Sequence, residues 1–184
     1  MIKYRSVGAV LHCSGSDLKT YGGNLMGLGN TFAGNMVEIL APVDGKVVQL
    51  FEVEDHVFKN KIVGDGLAIE PCSNVFVAPA SGVVVNVART KHSISIQITG
   101  KATIMVHMGL DTVYLGGSAF KCFVAENQAV KCGDIIAEMD LEDVLKNQKS
   151  IITPIILIDN KSARLKKTRE NFVRRQDKLF TVML

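Results

Sequence analysis

Two imidazoles side by side can divide the work of moving a phosphoryl group. One attacks phosphorus and becomes a phosphohistidine; the other donates a hydrogen bond to the phosphoryl oxygens. His92 and His107, fifteen residues apart, are placed for that division of labour. The stretch His92-Ser93-Ile94-Ser95-Ile96-Gln97-Ile98 alternates, with His92 and the isoleucines on one face. That is the period of a strand. Thr103-Ile104-Met105-Val106-His107 is short, β-branched and apolar, and reads as a second strand. With Thr99-Gly100 as a two-residue loop, His92 falls opposite His107 at the open end of a hairpin. A slip of one residue would turn His107 to the other face. A lone histidine on an apolar strand is ordinary structure; a facing pair is a candidate site.

The chain has 184 residues, 47% of them hydrophobic and 21% charged, which suits one globular domain. Its net charge of +3 is uneven. Lys161 to Lys178 holds eight Lys/Arg against two acidic residues, a local +6 that leaves the remainder at −3. The body is therefore slightly acidic, and no nucleic-acid partner is expected. Cys13, Cys72, Cys122 and Cys132 form no C-x-x-C pair, which leaves a metal or redox motif unsupported and suits free thiols in a reducing cytoplasm. No apolar run reaches the length of a membrane span.

Residues 1–37 carry seven of the 16 glycines with no sustained period, and read as a flexible leader or arm. The domain proper is expected over 38–184. Ala41-Pro42-Val43-Asp44-Gly45-Lys46-Val47-Val48 recurs as Ala78-Pro79-Ala80-Ser81-Gly82-Val83-Val84-Val85. In each copy proline opens a turn, glycine is expected to supply a permissive φ, and a β-branched strand leaves. Two copies, with short strands and frequent turn signals, predict an all-β fold. The expected form is an antiparallel β-sandwich or flattened barrel with internal duplication and short peripheral helices. Thr112 to Ala119 reads as a loop, Leu141 to Lys146 as a short helix capped by Asp140, and Ser150 to Ile158 as a buried strand. The basic stretch 161–178 is expected to be a surface helix with Leu165, Phe172 and Val173 along one side, and the last residues to form a closing strand.

Val106-His107-Met108-Gly109-Leu110-Asp111-Thr112-Val113 resembles the V-H-F-G-I-D-T-V signature of the glucose-type IIA domain of the bacterial phosphoenolpyruvate-dependent sugar phosphotransferase system. Thr90-Lys91-His92, with Ile96 beyond it, is similar to that family's T-x-H-A-x-x-I segment. Further similarities are Ala41 to Gly45, Lys61 to Ile69, Ala78 to Gly82, Val130 to Asp134 and Thr153-Pro154-Ile155-Ile156. They keep the family's order and cover roughly residues 38 to 160.

The resemblance implies a phosphotransferase with a phosphohistidine intermediate. His107 would be the nucleophile, attacking through Nε2. His92 would bind the phosphoryl oxygens, and Thr90 would orient His92. The donor would be a histidine-containing phosphocarrier protein, and the acceptor a cysteine on the sugar-specific IIB domain of a membrane permease. No cofactor or metal would be needed. Val57, Phe58, Ile62, Val63, Met105 and Val113 would form an apolar rim for docking, and Asp111 and Asp55 would face basic groups of the carrier. Gln97 and Tyr114 depart from the family at positions where acidic residues often occur. Three other readings compete. A noncatalytic regulatory module would use the same surface for binding alone. A zinc-dependent cell-wall peptidase would need an H-x-H motif, which the chain lacks. A biotinyl or lipoyl carrier would need a Met-Lys-Met context around Lys131, which is also missing.

Overall fold

The computed structural model describes residues 36–99, 102–158, 163–168 and 170–183. The expected leader falls almost wholly outside these residues. The strands in chain order are β1 (Met36–Leu40), β2 (Gly45–Val48), β3 (Gly64–Pro71), β4 (Val75–Val77), β5 (Gly82–Val87), β6 (Ser93–Thr99) and β7 (Ala102–His107). After them come β8 (Phe120–Cys122), β9 (Ala129–Val130), β10 (Ile135–Met139), β11 (Thr153–Ile158), β12 (Arg164–Lys167), β13 (Phe172–Val173) and β14 (Lys178–Met183). Two short helices, α1 (His56–Lys59) and α2 (Leu141–Lys146), sit between strands. Among the described residues no helix is long and apolar enough to cross a membrane.

Among the described residues all strand pairings are antiparallel, and they form open sheets packed as a sandwich. An eight-stranded sheet runs β13-β2-β3-β11-β7-β6-β5-β9, and two three-stranded sheets run β1-β14-β12 and β4-β10-β8. The order is a palindrome of the duplicated motif. Its two proline turns lock together through Leu40 N to Pro79 O (2.9 Å) and Val77 N to Pro42 O (2.8 Å). Each motif is then bound the same way by a later turn. Ala41 N donates to Asp177 O and Ala41 O accepts from Gln176 N; Ala78 N donates to Asp134 O and Ala78 O accepts from Gly133 N. The carboxylates of Asp177 and Asp134 close those later turns on Arg174 N and Lys131 N, each at 2.8 Å. Gly45 and Gly82 match too, for a reason other than the expected one. Neither has a left-handed φ. A Cβ on Gly45 would meet Glu70 O at 2.2 Å, and one on Gly82 would meet Gln97 O at 2.3 Å. Glycine is needed here because the neighbouring strand passes too close for any side chain.

Between the sheets lies a core that includes Ile39, Leu67, Ile69, Phe76, Ile94, Ile96, Ile104, Val106, Ile155 and Phe180. A second, smaller cluster covers the outer face of the long sheet: Val48, Leu50, Val53, Phe58, Ala68, Leu110 and Ile156. It is built by the long connection between β2 and β3, which folds a 3-10 turn (Leu50–Glu52) and α1 over the strands.

The basic stretch is not a helix. Arg164 to Lys167 alternates exposed and half-buried, and Val173 and Leu179 are buried while their charged neighbours face solvent. The period is two, so the segment adds β12 and β13 at sheet margins and the start of β14 between β1 and β12. A lysine-rich edge strand also discourages pairing with another chain. Three of its bases return to the acidic body: Lys167 to Asp65 (2.6 Å), Arg175 to Asp44 (3.3 Å) and Lys178 to Glu38. At Asp65, burial pushes the carboxyl pKa up, but hydrogen bonds from Lys167 and Lys61 outweigh it and hold it below the usual value. Asp140 caps α2 as expected, accepting from Asp143 N at 3.0 Å. Thr112 to Leu115, expected as loop, is a 3-10 turn.

Candidate active site

β6 and β7 form the expected hairpin with its register moved by one. Ser93, not His92, faces His107, because a bulge between Gln97 and Thr99 makes Thr99 the partner of Ala102. On this register His107 shares the outer face with Met105, and across from it lie Ser93 and Ser95. The core face belongs to Ile94, Ile96, Ile104 and Val106, all fully buried. Strict alternation would send His92 inward with the isoleucines. Instead the strand ends at Ser93, and Lys91 adopts a left-handed φ of 59° in the turn before it. Freed from the ladder's alternation, the His92 ring lies against His107 with centroids 4.9 Å apart and planes at 77°. The pair meets, but through the turn rather than through direct cross-strand opposition.

Each ring is held at one nitrogen. His107 Nδ1 lies 2.8 Å from Gly109 O. A carbonyl only accepts, so Nδ1 carries the proton and the Nε2 lone pair is free. His92 Nδ1 lies 2.6 Å from Thr90 Oγ1, a hydrogen bond that leaves its Nε2 uncommitted. Thr90 is backed by the Gly116-Gly117 turn, where a Cβ on Gly117 would stand 3.3 Å from Thr90 O. Burial lowers the pKa of His92 to about 4, with the adjacent His107 adding to the effect. Burial lowers His107 as well, against an upward pull from the Gly109 carbonyl and the charge of Asp55. Both rings are therefore neutral at pH 7, the state in which one can attack and the other can donate through N–H.

Phe58 forms the wall behind His107, with ring centroids 5.0 Å apart and planes at 63°. It was expected at the rim, but it is 5% exposed and belongs to the second core cluster. The reason is α1. Asp55 Oδ1 accepts from Val57 N (2.8 Å) and Phe58 N (3.1 Å), which starts a single helical turn that points Phe58 inward. Asp55 is thus a helix cap whose charge reaches His107, rather than a free acidic group at the surface. Val57, Ile62, Val63 and Val113 are exposed, Ile62 most of all at 62%. Met105 is half-buried and packs on the second cluster. Asp111 is exposed, has a left-handed φ of 57° and makes no capping hydrogen bond. Sequence reasoning missed the Gly109 acceptor, the Phe58 wall and the Gly117 support. The glycine two residues after His107 was the one visible signal, since φ at Gly109 is +77°.

A pair of neutral histidines, one with a free Nε2, on an open face walled by apolar side chains is suited to phosphoryl transfer between imidazoles. Residues 37–163 match the model of the phosphoenolpyruvate-dependent sugar phosphotransferase system, EIIA 1. The chain belongs to this EIIA family. It is accordingly a phosphoryl-transfer component of that system. It is 42% identical over 146 residues to the glucose-specific EIIA component of Mycoplasma capricolum, covering 79% of this chain and 95% of that one. The glucose-specific EIIA component of Bacillus cereus is 41% identical over 144 residues, covering 78% of this chain and 86% of the relative. A third relative is the N-acetylglucosamine-specific EIICBA component of Escherichia coli, 38% identical over 150 residues, in which the match spans 80% of this chain and 23% of the longer protein. The solved structure of glucose permease IIA from Mycoplasma capricolum superposes with a TM-score of 0.77 at 41% identity, covering 80% of this chain and 96% of that one. EIIA domains thus occur both alone and within a longer EIICBA chain. The family does not favour the peptidase or the purely regulatory module.

Proposed function

We propose that His107 Nε2 accepts a phosphoryl group from the phosphohistidine of a small carrier protein and passes it to a cysteine thiolate on a sugar-specific IIB domain, at the cytoplasmic side of a permease. The observation that carries this reading is the bond from His107 Nδ1 to Gly109 O, which leaves Nε2 as the one basic nitrogen of that ring. In the first step the N–P bond of the donor breaks as the bond from His107 Nε2 to phosphorus forms, and the donor imidazole keeps its electron pair. In the second, the bond to Nε2 breaks as sulfur takes the phosphorus. With the Thr90 hydroxyl donating to His92 Nδ1, the proton of His92 sits on Nε2 and points to the phosphoryl oxygens. The transferring group is loose and needs positioning and charge stabilisation more than covalent help. Phe58 and the exposed Val57, Ile62, Val63 and Val113 exclude water once a partner is seated. Asp111 is free to meet a basic side chain of the carrier. Free thiols at Cys122 and Cys132 suit the reducing cytoplasm.

The test is incubation with phosphoenolpyruvate, the general phosphotransferase enzyme and the carrier, followed by mass spectrometry of the peptide that contains His107. One phosphate on that peptide, chased off by a IIB domain, is the expected result. No uptake, or phosphate on a different residue, rejects the reading.

A further inference from the structure

The peptide after His107 is gripped from every side. Met108 N donates to His92 O at 2.7 Å, and Met108 O accepts from Thr112 Oγ1 at 2.8 Å. Gly109 N lies 3.4 Å from Thr153 Oγ1, and that hydroxyl in turn donates to Ile151 O at 3.1 Å. Leu110 N donates to Ser150 O at 2.9 Å. Thr112 and Thr153 are both fully buried. A Cβ on Gly109 would stand 2.4 Å from Thr112 Cγ2, so the threonine holds this turn with its methyl as well as its hydroxyl. The arrangement is more than a turn requires, and it surrounds the carbonyl that accepts from His107 Nδ1.

We infer that Thr112, with Thr153 on the far side of the same peptide, is a positioning residue that fixes the tautomer of His107. Glycine is the residue whose flanking peptides rotate most freely. At Gly109 that freedom is a liability, because rotation of its carbonyl away from His107 releases the Nδ1 proton to either nitrogen. A proton on Nε2 removes the attacking lone pair. Thr112 anchors the peptide on the N-terminal side of Gly109 through Met108 O, and Thr153 holds its N–H. The two threonines thus hold one peptide plane from both ends, and the next plane, which carries the Gly109 carbonyl, is held by Leu110 N on Ser150 O, so the carbonyl has one direction, toward Nδ1. Neither threonine touches the reacting atoms; both act through Gly109. The inference rests on the reading of His107 Nε2 as the nucleophile.

The test compares Thr112→Val, Thr112→Ser and Thr153→Val with the unaltered protein. Nitrogen-15 NMR of the His107 ring at pH 7 reads the tautomer without any partner present. The unaltered ring should show one protonated Nδ1 and one unprotonated Nε2. Thr112→Val, which keeps the shape and loses the hydroxyl, should give averaged shifts for the two nitrogens and a three- to tenfold slower phosphate uptake, and Thr112→Ser should restore both. Thr153→Val should act in the same direction, and it decides the matter if Thr112→Val does not fold. A purely structural role would lower the unfolding temperature and leave the ring shifts alone. Unchanged ring shifts in a folded Thr112→Val or Thr153→Val protein overturn the inference. Failure of the unaltered protein to take up phosphate would instead overturn the functional reading, with the tautomer comparison intact.

Discussion

The two halves of the duplication share a scaffold and differ in their connections. The register equates β2-β3-β11 with β5-β6-β7, and the pair Ile155 and Val106 lies at the centre of the exchange. One residue further on, Ile156 of the first half occupies the position of His107 in the second. Ile156 is fully buried, and His107 is not. The cause is the connection before the inner strand. In the first half residues 49–63 fold over the sheet and seal Ile156 beneath Leu50, Val53 and Phe58. In the second half residues 88–92 make only a turn, which leaves the outer face open and delivers Thr90 and His92. The site thus combines the long connection of one copy, as a wall, with the short connection of the other, which carries the second imidazole. Duplication provides two equivalent positions; unequal loops make one a core residue and leave the other, His107, partly open to solvent.

The strongest test of that asymmetry is His107→Gln, which should take up no detectable phosphate from the carrier. His92→Gln should still load but pass the group on about a hundredfold more slowly, the scale of losing one aligned donor. Equal loss of loading in both variants, read by mass spectrometry and a IIB chase, would erase the division of roles.

Next in size is the wall. Phe58→Ser should destabilise the fold by roughly 3–5 kcal/mol, as large-to-small core changes do. Ile62→Ser, on the exposed side of the same connection, should stay within about 0.5 kcal/mol and slow transfer from the carrier. Denaturant unfolding separates the two. A Phe58→Ser protein of full stability would mean that the long connection is a lid and not a wall.

The effect of pH is smaller. His92 is lowered to about 4, and His107 is lowered too, while the unfolded chain titrates near 6.5. Between those values the unfolded state binds more protons, so stability rises with pH. The histidine contribution is therefore complete above pH 6.5 and is lost as pH falls toward 4. Replacing both histidines with glutamine should flatten the slope of unfolding free energy over that window. An unchanged slope would assign it to other groups.

The smallest expected effect is electrostatic. Asp111→Asn should slow phosphate uptake no more than about fivefold at low salt, the scale of an exposed ion pair, with the difference vanishing as salt is added. A salt-independent loss would move Asp111 from docking to the chemistry.

The duplication and the hairpin were legible because proline, glycine and alternation leave marks at fixed offsets. The register was not. A two-residue loop fits Thr99-Gly100 or residues 100–101 equally well, and the bulge beside Gln97 has no sequence signature of its own. The pairing of His92 with His107 was right in outcome and wrong in route, since the left-handed Lys91 does what direct opposition was expected to do. Phe58 was misplaced because a helix of a single turn is too short to show periodicity, and Asp55 reads as a cap only once that turn is seen. The basic stretch misled because Leu165 and Phe172, seven apart, fit one helix face, whereas they lie on separate strands, β12 and β13. The Gly109 acceptor left only the glycine itself as a mark, since a tautomer is set by where a carbonyl points.

The pairing of β1 with β14 also bears on the order of assembly. The half that carries the histidines is nearly continuous, β4 to β10 lying within residues 75–139. The other half is split around it, because β1 is completed only by β14, with Met36 paired to Met183. During synthesis the half with the two histidines can gather its strands while its counterpart still lacks an edge. Closure of that counterpart joins segments far apart in the chain, the kind of contact that slows folding. Until β14 arrives, β1 emerges from the ribosome as an unpaired ribbon, and Lys167 and Lys178 reach Asp65 and Glu38 only together with β12 and β14.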